Sequence, residues 1–165
     1  MTTLALLAAV AANAIPCASD DRMLTDRSAD LLPLAVTNGK TMDMEHADLD
    51  GDGFADLVLA VEYGQNVILF WRDTRYVHVP DALPQGILRD SEDIAIADLD
   101  GDGDLDLVFA TEDDMTNELY LNDGEGRFAD ATDRLPVTGT SNAVVAFDAD
   151  ADGDVDLVFG NNGIN

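Results

Sequence analysis

Asp48-Leu49-Asp50-Gly51-Asp52-Gly53-Phe54-Ala55-Asp56-Leu57 is the first of three copies of one acidic stretch. Asp98-Leu99-Asp100-Gly101-Asp102-Gly103-Asp104-Leu105-Asp106-Leu107 is the second, and Asp148-Ala149-Asp150-Ala151-Asp152-Gly153-Asp154-Val155-Asp156-Leu157 the third. Each copy begins 50 residues after the one before it. A fixed period of this length marks a repeat architecture, in which each repeat is one supersecondary unit stacked on its neighbours.

The spacing within each copy suits a cation. At least four carboxylates within nine residues repel one another unless water screens them or a cation sits among their oxygens. Aspartates at loop positions 1, 3 and 5 can turn inward as the backbone curls about a centre. Those are Asp48, Asp50 and Asp52, then Asp98, Asp100 and Asp102, then Asp148, Asp150 and Asp152. Glycine at position 6 supplies the sharp turn. Position 7 can give its backbone carbonyl, so its side chain is free to vary, and it is Phe54, Asp104 and Asp154. Position 9 is Asp56, Asp106 and Asp156, and can close the shell, even as a bidentate ligand. Position 4 is Gly51, Gly101 and Ala151, from which we expect that positive φ is not required there. All-oxygen ligation by a flexible loop selects a hard cation, Ca²⁺ before Mg²⁺. One copy alone reads equally well as a solvated acidic turn, since Asp and Gly are ordinary turn residues. Three copies in register favour ligation.

An EF-hand needs Glu at loop position 12 and a following helix. Position 12 here is Leu59, Phe109 and Phe159. The apolar runs after position 9, Leu57 to Val61, Leu107 to Ala110 and Leu157 to Gly160, read as short buried strands. Ile94 to Ala97 and Val144 to Phe147 read as strands before the loops. Further strands are expected at Val67 to Trp71, Tyr76 to Val79, Glu118 to Leu121 and Phe128 to Ala131. Asn122-Asp123-Gly124-Glu125-Gly126 is a hairpin turn, and Arg72 to Arg75 takes that place one repeat earlier. Each period thus holds four short antiparallel strands, the content of one propeller blade. The expected fold is all-β, with β-propeller blades in an incomplete ring. Met23 to Asp26 reads as the last strand of a preceding blade. Leu32-Pro33, Leu83-Pro84 and Leu135-Pro136 end the last strand of each unit, because Pro offers no ladder donor.

The motif Asp-x-Asp-x-Asp-Gly-x-x-Asp-Leu-Val with Phe159-Gly160, and the run Leu119 to Phe128 through Asn122-Asp123-Gly124, resemble the FG-GAP/VCBS repeat. That family includes the Ca²⁺-binding blades of integrin α-subunit propellers. The Phe-Gly pair is intact only at 159–160, and no Gly-Ala-Pro triplet occurs, which places the chain nearer the bacterial-type VCBS repeats. The resemblance implies Ca²⁺ loops at 48–56, 98–106 and 148–156 on one face. It implies a protein or glycan ligand on the opposite face, at loops 34–41, 61–66, 85–92, 111–117 and 137–142.

Composition narrows the partners. Thirty-four acidic residues against eight basic ones give a net charge of −26, and 14 of the acids lie in the three loops. Three Ca²⁺ ions would leave about −20, so the surface stays acidic when loaded. Nucleic acid and anionic membrane surfaces are poor partners for such a chain. Cys17 is the sole cysteine, which excludes an intrachain disulfide. Residues 1–18 read as a secretory signal, with the apolar run Leu4 to Ala12 and a small-x-small cleavage site at Ala12-Asn13-Ala14, although the n-region lacks Lys and Arg. That run is too short to span a bilayer. Residues 19–165 are then the repeat domain of a secreted or cell-surface protein. No nucleophile–base constellation is apparent. His46 and His78 stand in strand contexts of different repeats, and Tyr63 and Trp71 suit packing at a core or rim. The expected role is a Ca²⁺-stabilised interaction or adhesion module without catalysis. The alternatives are the propeller part of a secreted enzyme and a glycan-binding propeller.

Overall fold

The structure, a computed structural model, describes residues 25–33, 39–112, 115–136 and 138–162. The expected signal, Cys17, Met23 and Leu24 lie outside the described residues, as does most of loop 34–41.

The described residues form ten strands in three antiparallel sheets. Blade one contains β1 (Thr41–Ala47), β2 (Asp56–Val61), β3 (Val67–Arg72) and β4 (Arg75–His78). Blade two contains β5 (Ser91–Ala97), β6 (Asp106–Thr111), β7 (Glu118–Asn122) and β8 (Phe128–Asp130). In each, spatial order follows chain order, as in a meander. The third sheet pairs β9 (Ser141–Phe147) with β10 (Asp156–Asn161). The acidic loops join β1 to β2, β5 to β6 and β9 to β10. This is the four-stranded blade read from the sequence, and the sheets do not close into a barrel.

Burial follows the twofold alternation of strands. From β2, Val58 and Ala60 face blade two, where Leu107 and Phe109 of β6 meet them with Ile68, Phe70 and Tyr120. The opposite face of β6, Val108 and Ala110, packs with Leu119 and Val144 towards β9 and β10. Leu57, Leu59 and Leu69 form the outer layer of blade one with Leu32 and Tyr76. Both faces of β2 and β6 are covered, which is why these strands read as continuous apolar runs.

First strands of successive sheets lie side by side. A carboxylate staples each pair. Ile94 N–H donates to Asp43 Oδ2 at 3.2 Å, and Val144 N–H donates to Asp93 Oδ2 at 2.8 Å, one period further on. Each first strand carries a register shift at the same place, at residues 41–43 and 91–93 and opposite 160–161. The bulge lengthens these strands beyond the apolar runs that mark them, back to Thr41, Ser91 and Ser141.

Two local expectations are corrected. Thr25 and Asp26 belong to no strand, and they lead into the short helix α1 (Ser28–Leu31). Equivalent 3₁₀ turns occur at Pro80–Ala82 and Thr132–Arg134. A helical turn therefore precedes every Leu-Pro pair, and the strand ends earlier. The physical reason is local: Leu32 N–H donates to Ser28 O at 2.9 Å and Leu135 N–H to Thr132 O at 3.1 Å. Pro in each pair then blocks continuation.

Candidate metal centre

Each acidic loop curls about the carboxylate at position 1. Asp48 accepts from Asp52 N–H at 3.1 Å and from Gly53 N–H at 2.8 Å. Asp98 accepts from Gly101 N–H at 2.8 Å and Gly103 N–H at 3.0 Å, and Asp148 from Gly153 N–H at 3.1 Å. The glycine at position 6 takes φ of +87°, +98° and +100° in the three copies, as expected from the turn. Position 4 departs from expectation. Gly51 and Gly101 take +72° and +80°, and Ala151 takes +63°, so positive φ is required there in every copy. The left-handed residue at position 4 turns the chain so that N–H groups after it point back to position 1: Asp52 and Gly53 in loop one, Gly103 in loop two and Gly153 in loop three.

Position 5 is turned to its own loop. Asp52, Asp102 and Asp152 each accept from the N–H of position 7, at 2.9, 3.0 and 3.0 Å. Position 9 is a clasp. Asp56 takes the N–H of Leu49 at 3.0 Å on one oxygen and that of Trp71 at 2.8 Å on the other. Asp106 does the same with Leu99 at 2.9 Å and Asn122 at 2.9 Å, and Asp156 holds Ala149 at 2.9 Å. Loop and third strand are thus tied through one carboxylate, and Asp56 and Asp106 are fully buried.

The structure brings together positions 1, 3 and 9. One carboxylate oxygen from each of Asp48, Asp50 and Asp56 lies within 4.8 Å of the other two, and the same holds for Asp98, Asp100 and Asp106, and for Asp148, Asp150 and Asp156. The carboxylates of Asp52, Asp102 and Asp152 stand outside these groups, and Phe54, Asp104 and Asp154 at position 7 would contribute through their backbone carbonyls. The donor set is oxygen only, which fits a hard cation. Electrostatics point the same way. Burial, with Asp50 and Asp52 adding repulsion, pushes the Asp56 carboxyl up to about 6, against the pull of the Trp71 and Leu49 N–H groups. Burial likewise raises Asp106, with Asp100 and Asp102 adding to it. A cation among these oxygens offsets that repulsion.

Several residues that shape the loops carry little sequence signal. Arg72 forms ion pairs with Asp50 and, at 3.2 Å, with Asp52, so loop one holds a counter-charge of its own. Asn122 Nδ2 donates to Leu49 O at 2.8 Å and to Leu105 O at 3.1 Å, joining loops one and two. The hairpin after it packs on loop one so closely that a Cβ on Gly126 would stand 2.6 Å from the Phe70 ring and 3.1 Å from Asp50 Cβ. Asn66 and Asn117 close the link between second and third strands, accepting from Val61 N–H at 2.9 Å and Thr111 N–H at 3.1 Å. Their signal was available: an Asn stands just before each third strand.

The opposite rim holds the other ends of these strands. Tyr63 and Leu88 are exposed there, Tyr63 with φ of +51°. Asp90, Glu92 and Glu112 group at this end of blade two, again with one oxygen each within 4.8 Å. His46 lies on β1 and His78 on β4, so both stand on one blade and not on different ones as expected, at its two edges, and neither belongs to an acidic group.

Meander blades repeated every 50 residues, each with an acidic loop between its first two strands, define a repeat protein of the β-propeller kind. The FG-GAP-like repeat family matches residues 48–109 and 98–159, and the chain belongs to that family. Membership points to a β-propeller-like interaction module. A comparison with curated proteins finds no match. No helix among the described residues is long and apolar enough to cross a membrane.

Proposed function

We propose that this chain is a Ca²⁺-stabilised, extracytoplasmic propeller segment that binds a partner on the rim opposite its acidic loops, without catalysis of its own. The observation that carries the metal is the threefold recurrence of one oxygen cluster, positions 1, 3 and 9 within 4.8 Å. Asp48, Asp50 and Asp56, and their equivalents in the other loops, would hold the ion. The ion would supply positive charge among carboxylates that otherwise repel, and so close each β-hairpin loop. Affinity in the range of extracellular modules, on the order of 10⁻⁴ to 10⁻³ M or tighter, is expected.

The partner reading rests on family membership and on the rim itself. Tyr63 is 61% exposed in a left-handed backbone conformation, with Lys40 Nζ 5.8 Å from its ring centroid. An exposed aromatic beside a cation suits a protein surface, and it also suits a sugar ring, which is the specific support for a glycan-binding alternative. Titration calorimetry with Ca²⁺, paired with melting in chelator, tests the first part. Chelator lowers the melting temperature, and Asp100→Ala removes one bound ion. A titration without Ca²⁺ uptake would overturn it. A glycan array with wild-type protein and Tyr63→Ala separates the two ligand classes.

A further inference from the structure

We infer that the rim of blade two opposite the acidic loops carries a fourth divalent-cation site, built from Asp90, Glu92 and Glu112. The three sheets can be superposed here through one backbone bond. Glu62 N–H donates to Lys40 O at 2.9 Å, Glu112 N–H to Asp90 O at 2.9 Å, and Asn162 N–H to Thr140 O at 2.8 Å. In blade one the paired side chains balance: Lys40 Nζ lies 3.0 Å from Glu62 Oε2. In the third sheet Thr140 and Asn162 are uncharged. In blade two the place of Lys40 is taken by Asp90, so a built-in ammonium is replaced by a further negative charge opposite Glu112. Glu92 adds a third, at the bulge of β5, where a bulge re-aims a side chain.

A cluster of acids alone would prove nothing, because exposed carboxylates are readily solvated. Asp90 is not solvated. It is 4% exposed, and its Oδ1 has no hydrogen-bond partner among the described residues. A buried carboxylate oxygen without donor or cation is costly, and such groups are paired or coordinate metals. Arg89, next in the chain, gives its Nε to Glu118 Oε1 at 3.0 Å. The other buried side-chain oxygen without a partner among the described residues is Asn142 Oδ1, whose amide nitrogen donates to Glu112. Both unpartnered oxygens thus belong to side chains beside Glu112, and both are hard donors. Carboxylate and amide oxygens with no nitrogen or sulfur ligand select a hard divalent ion of the Ca²⁺ class.

The test uses the full chain and Ca²⁺ alone, counted by atomic absorption after equilibrium dialysis. Asp90→Asn combined with Glu92→Gln keeps shape and removes charge, and it should lose about one bound ion per chain relative to wild type. Asp90→Lys restores the pairing of blade one. It should lose the same ion and, in chelator, melt above the wild-type chain. Equal ion counts in wild type and in the Asn/Gln variant would overturn the site, as would Asp90→Lys melting below wild type in chelator. Failure of the acidic loops is seen separately, as an unchanged count in Asp100→Ala.

Discussion

Ala151 occupies a backbone well at φ +63° that its counterparts Gly51 and Gly101 reach without a Cβ. A non-glycine residue in the left-handed region costs about 1 kcal/mol. Ala151→Gly should therefore stabilise the third hairpin by up to about 1 kcal/mol, less the backbone entropy that glycine loses on folding. Denaturant titration of the two proteins in chelator reads this directly, and a destabilised variant would show the strain to be absent. At the same scale, charge distinguishes the loops. Arg72 lies against Asp50 and Asp52 in loop one, whereas Asp123 stands at the matching place after β7. Removing that guanidinium with Arg72→Gln should tighten Ca²⁺ binding at loop one by several fold, because the ion no longer competes with an internal cation. A titration of wild type against the variant measures it, and weaker binding in the variant would contradict it.

Among the elements, the third strand is where blade and neighbour meet. β7 begins with Glu118, which is 1% exposed, accepts from Asn66 Nδ2 at 3.0 Å and pairs with Arg89 at 3.0 Å. Burial pushes its carboxyl up to about 6 from an ordinary value of 4.5; Asp130 adds to the rise, and the Tyr120 hydroxyl and Arg89 oppose it. Between those two values the native state holds a proton that the unfolded chain has released. The resulting stability is fully present below about pH 4.5 and is lost as pH rises through 6, by about 2 kcal/mol. Glu118→Gln keeps the acceptor oxygen and removes the titration. The difference between the wild-type and variant stability curves should fall across that window, and parallel curves would refute the assignment. The same element shows the reach of the position 9 aspartate. Asp106 joins Leu99 of the loop to Asn122 at the end of β7, so loop and strand order together.

Across the whole molecule, each sheet is covered by its neighbours and not by itself. Val108 and Val158 sit in the same local sequence, Asp-Leu-Val-Phe, on strands of the same register. Val108 is fully buried between two blades, while Val158 is 49% exposed on the outer face of the β9–β10 pair, beside exposed Val145 and Phe147. Val108→Ala should cost about 2 kcal/mol through lost burial and the cavity left behind. Val158→Ala should stay within about 0.5 kcal/mol. Chemical denaturation of both variants checks the pair, and equal costs would mean that blade stacking does not carry the core. Stability in this fold is a sum of blade and interface contributions, so its acidic surface needs local charge relief blade by blade. Blade one has Lys40 and Arg72 for that purpose and blade two has Arg89 and Arg127, while Asp90, Glu92 and Glu112 stand together where blade one has the Lys40–Glu62 pair.

The 50-residue period, the β identity of the apolar runs, the turns at Gly53, Gly103 and Gly153 and the acidic centre were all legible in the chain by itself. They depend on contacts within about ten residues, where spacing dictates geometry. Other features came from tertiary structure alone. Position 9 had to be seen against Trp71 and Asn122 before it read as a clasp. The staples from Asp43 and Asp93, and the unpartnered oxygen of Asp90, belong to the same class. Each depends on which strand of a neighbouring element lies opposite, and identical local sequences such as those at Val108 and Val158 carry no record of that. Local chemistry thus determines what a blade is, and the packing of one blade on the next decides which of its charged groups are buried, bonded or left in need of an ion.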